Sequence, residues 1–300
     1  PITYDNGAPV NNASGSFNGT TTIRTAIRNS VNTVAVQCFE DVTPELGLKY
    51  LDNFGFTTLA HGTEADTDAN GNVYTDANLP TALGGLTYGV KNVELCAAYA
   101  AIANGGNYIK PVYYTKILDH NGNVLIENNS VGRSVIKETT AYLLTSALED
   151  VVQNGTGTAC QLDNMAVAGK TGTTSLNKDG WFCGYTPYYT TAVWVGRDDN
   201  RIMESLSGAS YPKSIWSNFM NTIHSEYSST DSMGGSYTDY QGETTQQTGT
   251  QATTATESST KGTEATTAAP TTAAPTTAAP TTAAPTTAAQ QTEEQPAENQ

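Results

Sequence analysis

Lys170 stands alone between Gly169 and the run Thr171-Gly172-Thr173-Thr174. On an extended strand Lys170 and Gly172 fall on the opposite phase from Thr171 and Thr173. Glycines beside the lysine remove side chains that would hold a substrate backbone away. The ammonium and the hydroxyls can then bind a carboxylate, while a strand-edge N–H can stabilise an oxyanion. One such donor is worth about 3 to 4 kcal/mol in an acyl transfer. The triplet K-T-G is short enough to arise by chance, and a lysine on an exposed strand fits it equally well.

A second polar group lies far upstream. Ser30-Val31-Asn32 sits where two helical patterns meet, so both polar side chains can turn toward one cleft. The plain alternative is a pair of capping residues at a helix break.

The elements that must position these groups are legible in outline. TTIRTAIRNSVNTVAVQCFEDV reads as a helix, a break at Asn29-Ser30, and a second helix. Thr43-Pro44 opens a third, capped by threonine, carrying proline in its first turn and ended by Gly55. Residues 57 to 90 are rich in Gly, Asn, Asp and Thr and read as loop. Asn92 is placed to cap the alanine-rich helix that ends at Gly105-Gly106. VYYTKILD and VLIEN flank an Asn-Gly pair, the signature of a two-residue hairpin turn. Residues 137 to 155 form an amphipathic helix with Ala141, Leu144, Leu148 and Val151 on one stripe. Strands follow in AVAGKTGT, GWFCGYTP and TTAVWVGR. A closing helix is expected to bury Ile215, Trp216, Phe219 and Ile223. Helices first and last around hairpin-linked strands predict an α+β fold, an α/β sandwich with an antiparallel sheet covered by helices.

From about Glu226 the composition shifts to Thr, Ser, Gln, Ala and Pro, with TTAAP repeated from Thr266. Such a sequence cannot bury a core and reads as a disordered, semi-extended spacer. The domains expected are therefore 1–227, folded, and 228–300, tail. Both parts are acidic within a net charge of −15, which leaves nucleic-acid binding no electrostatic footprint. No stretch approaches the roughly 18 to 20 apolar residues of a membrane helix. The chain opens on Pro1 without a signal peptide, which reads as a fragment or a processed product. Cys38, Cys96 and Cys183 lie in apolar runs and read as buried free thiols. No Cys or His spacing suggests a metal site.

The order S-x-N then K-T-G, well over a hundred residues apart, resembles the penicillin-recognising serine acyltransferases. There S-x-x-K supplies the nucleophile and the other two motifs line the remaining walls. The stretches LGLKYLDNFGF, VVQNGTGTA and VAGKTGTTSLNKDGWFCGYTP are similar to the C-terminal part of the transpeptidase domain of class A, bifunctional penicillin-binding proteins. The resemblance covers residues 1 to about 227. It implies a serine β-lactamase/D,D-transpeptidase-like fold and two-step acyl transfer that cross-links D-Ala-D-Ala stem peptides of peptidoglycan. β-Lactams would trap the acyl-enzyme.

The resemblance also assigns roles. Ser30 would relay a proton, Asn32 would hold a substrate carbonyl, and Lys170 would stabilise the bound carboxylate. Thr171 and Thr173 would bind that carboxylate, the Thr173 N–H would form half of an oxyanion hole, and Gly172 would keep the strand open. Asp179 and Trp181 are read as structural, the tryptophan buried, and Thr174 is unassigned. No metal or cofactor is implied. The partners implied are stem peptides on lipid II-derived glycan strands and β-lactam antibiotics, with room for cell-division or elongation proteins. Membrane contact would come through an N-terminal anchor outside the chain, on the extracytoplasmic face.

One departure stands out. Ser14 and Ser16 are the serines before Ser30, and Phe17 and Gly19, not lysine, stand three residues after them. The nucleophile is therefore expected upstream of this chain, which alone would be inactive and partly unfolded or prone to aggregate. Two other readings remain: a β-lactamase or D,D-carboxypeptidase using water as acceptor, and a non-catalytic β-lactam-sensing or wall-scaffold domain.

Overall fold

In the computed structural model, residues 2–4, 6–17, 19–163, 165–227 and 233 are described. The centre is a meander of three antiparallel strands, β5 (Ala168–Thr173), β6 (Asp179–Tyr185) and β7 (Thr190–Gly196), with β6 in the middle. Its register pairs Lys170 with Cys183 and Cys183 with Ala192. Two further two-stranded ladders lie outside it. β1 (Asn107–Tyr108) pairs with β4 (Arg133–Ser134), and β2 (Lys116–Leu118) with β3 (Val124–Glu127).

The side-chain period of two sends alternate residues of β6 to opposite layers. Phe182 meets Trp216 of helix α6 (Tyr211–Ile223), ring centroids 5.1 Å apart, within a buried cluster that includes Met220 and Val152. Tyr185 goes the other way, packing with Leu148 and Val151 of α5 (Glu138–Asn154). Its hydroxyl pairs with Thr145 Oγ1 at 2.8 Å. Tyr99 of α4 (Asn92–Ala103) joins this second layer. The central sheet is thus covered on both faces, as the helix-and-strand order predicts. Met233 also packs among Leu148, Val151, Ala168 and Tyr185. The other residues of 228–300, with the TTAAP repeats, lie outside the described residues.

Helices α1 (Ile23–Asn29) and α2 (Asn32–Val42) break where the polar Asn29-Ser30 pair interrupts the apolar pattern. Helix α3 (Pro44–Asn53) starts as expected, with Thr43 Oγ1 accepting from the Leu46 N–H and proline in the first turn. Gly55 follows it at φ 88°, and a Cβ there would strike the Tyr108 hydroxyl.

Several local expectations are corrected. Asn92 is the first residue of α4, and Lys91 holds the capping position without a side-chain bond. The β2–β3 loop is not a two-residue Asn-Gly turn: Asp119 and Asn123 close it through an N–H···O bond of 2.9 Å. Its Gly122 takes a left-handed φ of 85°. The Asp119 carboxylate accepts from Asn121 N, Asn123 N and Asn123 Nδ2, which makes the wider loop the better-bonded one. The same D-x-N-G-N construction recurs at Asp68–Asn72, where Asp68 makes the equivalent bonds and Gly71 N–H donates to Asp68 O. In α6 the buried stripe is Pro212, Trp216 and Met220, while Ile215 and Phe219 are each 50% exposed. Pro212, Trp216 and Met220 follow one i, i+4 ridge that fits the sheet, and Ile215 and Phe219 lie on the neighbouring ridge. All four cysteines are free. Cys160 and Cys183 are buried, but Cys38 and Cys96 are only half-buried.

Candidate active site

The α1–α2 break creates an unusual residue. Ser30 caps α1 with φ 56° and ψ 52°, the left-handed region that a side chain with a Cβ enters at a cost of about 1 to 2 kcal/mol. Its N–H is spent on the α1 carbonyls of Ala26 and Ile27, so the hydroxyl alone is left for chemistry. Lys170 Nζ donates to Ser30 Oγ at 2.8 Å and to Thr171 O at 3.0 Å. No carboxylate pairs with this ammonium among the described residues. Burial pulls Lys170 down to about 8.

β5 is an edge strand, which exposes half of its backbone groups. Thr174 N donates to Asp179 O at 3.1 Å, which sets the hydrogen-bonded phase of the β5–β6 ladder. By the antiparallel alternation, the N–H and C=O groups of Thr171 and Thr173 then point away from β6. The Lys170–Thr171 O bond agrees with that phase. A cleft of about 930 Å³ opens along this edge, lined by Ser30, Asn32 and Lys170–Thr173 among others. Its lining also includes the apolar residues Ile27, Val34, Ala35 and Tyr99.

All six residues singled out by sequence therefore line one cavity, but their side chains are not equally free. Asn32 Nδ2 donates to Asn11 O at 2.8 Å, so the N-terminal segment occupies the amide expected to meet substrate. Thr171 Oγ1 pairs with Thr156 Oγ1 at 2.8 Å, and Thr173 Oγ1 accepts from Gly208 N at 2.9 Å. Gly172 has a packing reason besides openness. A Cβ there would lie 3.2 Å from Trp181 Cβ, and a Cβ on Gly208 would come within 2.2 Å of Gly172 O. The strand is thus crossed closely by the 203–210 loop.

Thr174 and Asp179 form a pin at the base of the hairpin. Asp179 Oδ2 accepts from Thr174 Oγ1 at 2.8 Å and Oδ1 accepts from Trp194 Nε1 at 2.9 Å. Both also line the cleft. Trp181 is half-buried rather than buried, tilted against Trp194 with centroids 6.3 Å apart.

The Gly155-Thr156-Gly157 loop, which sequence marked only as part of the resemblance, has a positioning place in the fold through Thr171. It threads between the two walls: a Cβ on Gly155 would fall 2.4 Å from Arg28 O, Thr156 N donates to the same carbonyl at 3.4 Å, and Lys213 Nζ holds Thr156 O at 3.0 Å. The signal was the double glycine. The spacing S-x-x-K also occurs at Ser134–Lys137, Ser175–Lys178, Ser210–Lys213 and, outside the described residues, Ser258–Lys261. Ser175–Lys178 reaches the cleft rim, but Leu176 and Asn177 have φ of 62° and 52°. That breaks the helical geometry which sets residues i and i+3 on one face. Among the described residues, no group of His, Cys, Asp or Glu is placed to hold a metal ion.

This constellation of serine, lysine and open strand edge on a helix-covered sheet defines a penicillin-recognising acyltransferase fold. Residues 1–221 match the penicillin binding protein transpeptidase domain, and the chain belongs to that family. It is 36% identical over 198 residues to penicillin-binding protein 1A of Clostridium novyi, covering 65% of this chain and 21% of the relative. It is 33% identical to penicillin-binding protein 4 of Bacillus subtilis, covering 66% and 30%. These relatives are several times longer than the stretch they share with it. The PonA1 protein of Mycobacterium tuberculosis, solved in complex with penicillin V, superposes with a TM-score of 0.66 at 26% identity, covering 78% of this chain and 64% of that one. Penicillin-binding protein 1A of Haemophilus influenzae gives 0.60 at 22% identity, over 74% and 37%. No helix among the described residues is long and apolar enough to cross a membrane.

Proposed function

We propose that the chain provides two walls of a peptidoglycan D,D-transpeptidase, within a class A penicillin-binding protein that also carries a glycosyltransferase. The reaction is two-step acyl transfer on the extracytoplasmic side of the membrane. A serine of an S-x-x-K segment outside residues 1–300 attacks the penultimate D-Ala carbonyl of a stem peptide and expels the terminal D-Ala. An amine from a neighbouring stem then takes the acyl group. In this scheme Ser30 passes a proton between the nucleophile's lysine and the amine. Lys170, Thr171 and Thr173 receive the substrate carboxylate, and the Thr173 N–H contributes to the oxyanion hole.

The observation that carries the reading is the 2.8 Å contact of Lys170 Nζ with Ser30 Oγ at the mouth of an edge-strand cleft. A serine hydrolase stripped of its nucleophile falls to about a millionth of its full turnover. The chain alone is therefore inactive in cross-linking. A fluorescent penicillin tests this on residues 1–300 and on a chain extended upstream through S-x-x-K. Labelling of the extended chain alone, weakened by Lys170→Ala, is the expected result. Absence of label on both folded chains would favour a sensing or scaffold role.

A further inference from the structure

We propose that Ser30 and Lys170 themselves form a serine–lysine dyad that takes acyl groups from activated esters of small apolar acids. This activity is separate from the transpeptidase reading, in which another serine is acylated.

The geometry is that of a nucleophile and its base. The Nζ to Oγ distance is 2.8 Å, and Nζ has no carboxylate to hold it charged. A lysine can serve as general base only when neutral, and desolvation favours that form; burial has this effect on Lys170. Ser30 sits on a sharp turn with a left-handed backbone immediately before a helix. A strained turn ahead of a helix is how other hydrolases present a serine oxygen to substrate. The N–H groups of a helix's first turn have no intrahelical acceptor. Thr33 N is taken by Asn12 Oδ1, but the Asn32 N–H remains, two residues after Ser30, and Asn32 lines the cleft. It and the edge-facing Thr173 N–H are the oxyanion donors. The apolar lining residues Ile23, Ile27, Val34, Ala35 and Tyr99 give a small acyl chain a place to lie.

The step balances as follows. Neutral Lys170 accepts the hydroxyl proton as Ser30 Oγ bonds to the carbonyl carbon, whose oxygen takes the electron pair. Collapse of that adduct breaks the C–O bond to the leaving aryloxide and leaves an acyl-serine and a Lys170 ammonium, which then loses its proton to solvent or aryloxide. Water, deprotonated by Lys170, then adds to the acyl carbon, and the Lys170 ammonium returns that proton to Ser30 Oγ as the acid leaves, which restores both groups. An aryloxide departs without being protonated, so one base suffices. A peptide nitrogen would have to take a proton from the Lys170 ammonium as its bond breaks, so activated esters ask less of the dyad than amides do.

The test uses residues 1–300 and p-nitrophenyl acetate, following nitrophenolate release and mapping the acetyl group by peptide mass spectrometry. Acetyl on Ser30 of the unmodified protein is the expected result. Ser30→Gly, which keeps the left-handed turn without strain, abolishes it. Lys170→Met slows release by about 100-fold. Acetyl found on Lys170 or scattered over other lysines overturns the proposal, as does a Ser30→Gly or Lys170→Met rate equal to that of the parent. Penicillin labelling of the extended chain is read separately, so either activity can fail without the other.

Discussion

Lys170 and Ser30 are 140 residues apart in the chain, yet the ammonium of one donates to the hydroxyl of the other across 2.8 Å. Neither α1 nor β5 makes this contact alone; it requires the whole layer of α5 between them, which packs on both. The contact also costs stability, because it keeps an unpaired cation partly out of water.

That cost sets a pH dependence. Lys170 titrates at about 8 in the fold, against about 10.4 in an unfolded chain. Between these values the unfolded chain binds more protons, so this lysine makes stability rise with pH. Below pH 8 both states are protonated and the fold carries the desolvation penalty in full. Lys170→Met should therefore be more stable than the parent at pH 7 by about 1 to 3 kcal/mol. The gap should narrow toward pH 10. Urea melts of the two proteins across that range check it, and a constant gap would contradict it.

Thr156 links the walls, so its hydroxyl should matter twice. Thr156→Val removes the partner of Thr171 Oγ1 and should cost about 1 kcal/mol. In the extended chain it should also slow acylation by penicillin, with Thr156→Ser restoring the rate. Stopped-flow labelling beside a thermal melt separates the two effects; a valine variant that labels at the parent rate would remove Thr156 from the site.

Gly208 approaches Gly172 too closely for any side chain. Gly208→Ala should push the 203–210 loop away, break its bond to Thr173 Oγ1, and destabilise by about 1 to 3 kcal/mol. Faster hydrogen exchange at the residue 208 amide of the variant than at that of the parent would report the loss locally.

Asp179→Ala should strand Trp194 Nε1 and remove the acceptor of the Thr174 hydroxyl, whose Oγ1 keeps the bond from the residue 179 N–H, at about 1 to 3 kcal/mol for the unpaired groups. Tryptophan emission and the denaturation midpoint should shift together. A shift in emission without loss of stability would mean that water replaces the carboxylate.

Much of this was readable from residue order. The polar break at Asn29-Ser30 marked the turn that presents the hydroxyl, and the runs AVAGKTGT, GWFCGYTP and TTAVWVGR marked the sheet. What sequence could not show was non-local. Asn32 pairs with Asn11 because the N-terminal segment folds back through buried Val10 onto Val36. Gly208 matters only through a backbone thirty-odd positions upstream. Phe219 looks as apolar as Met220, and only the position of the sheet decides which of the two ridges of α6 is covered.

The two D-x-N-G-N loops bear on how the protein ages. Asn-Gly is the pair most open to deamidation, in which the glycine nitrogen attacks the asparagine side-chain carbonyl. In both loops that nitrogen, Gly71 N and Gly122 N, is held by an aspartate carbonyl, at 3.0 and 3.1 Å. While the loops stay folded the attack is suppressed, and when they open it is not. Isoaspartate at Asn70 or Asn121 would then accumulate in proportion to time spent open, leaving a covalent record of each molecule's unfolding history.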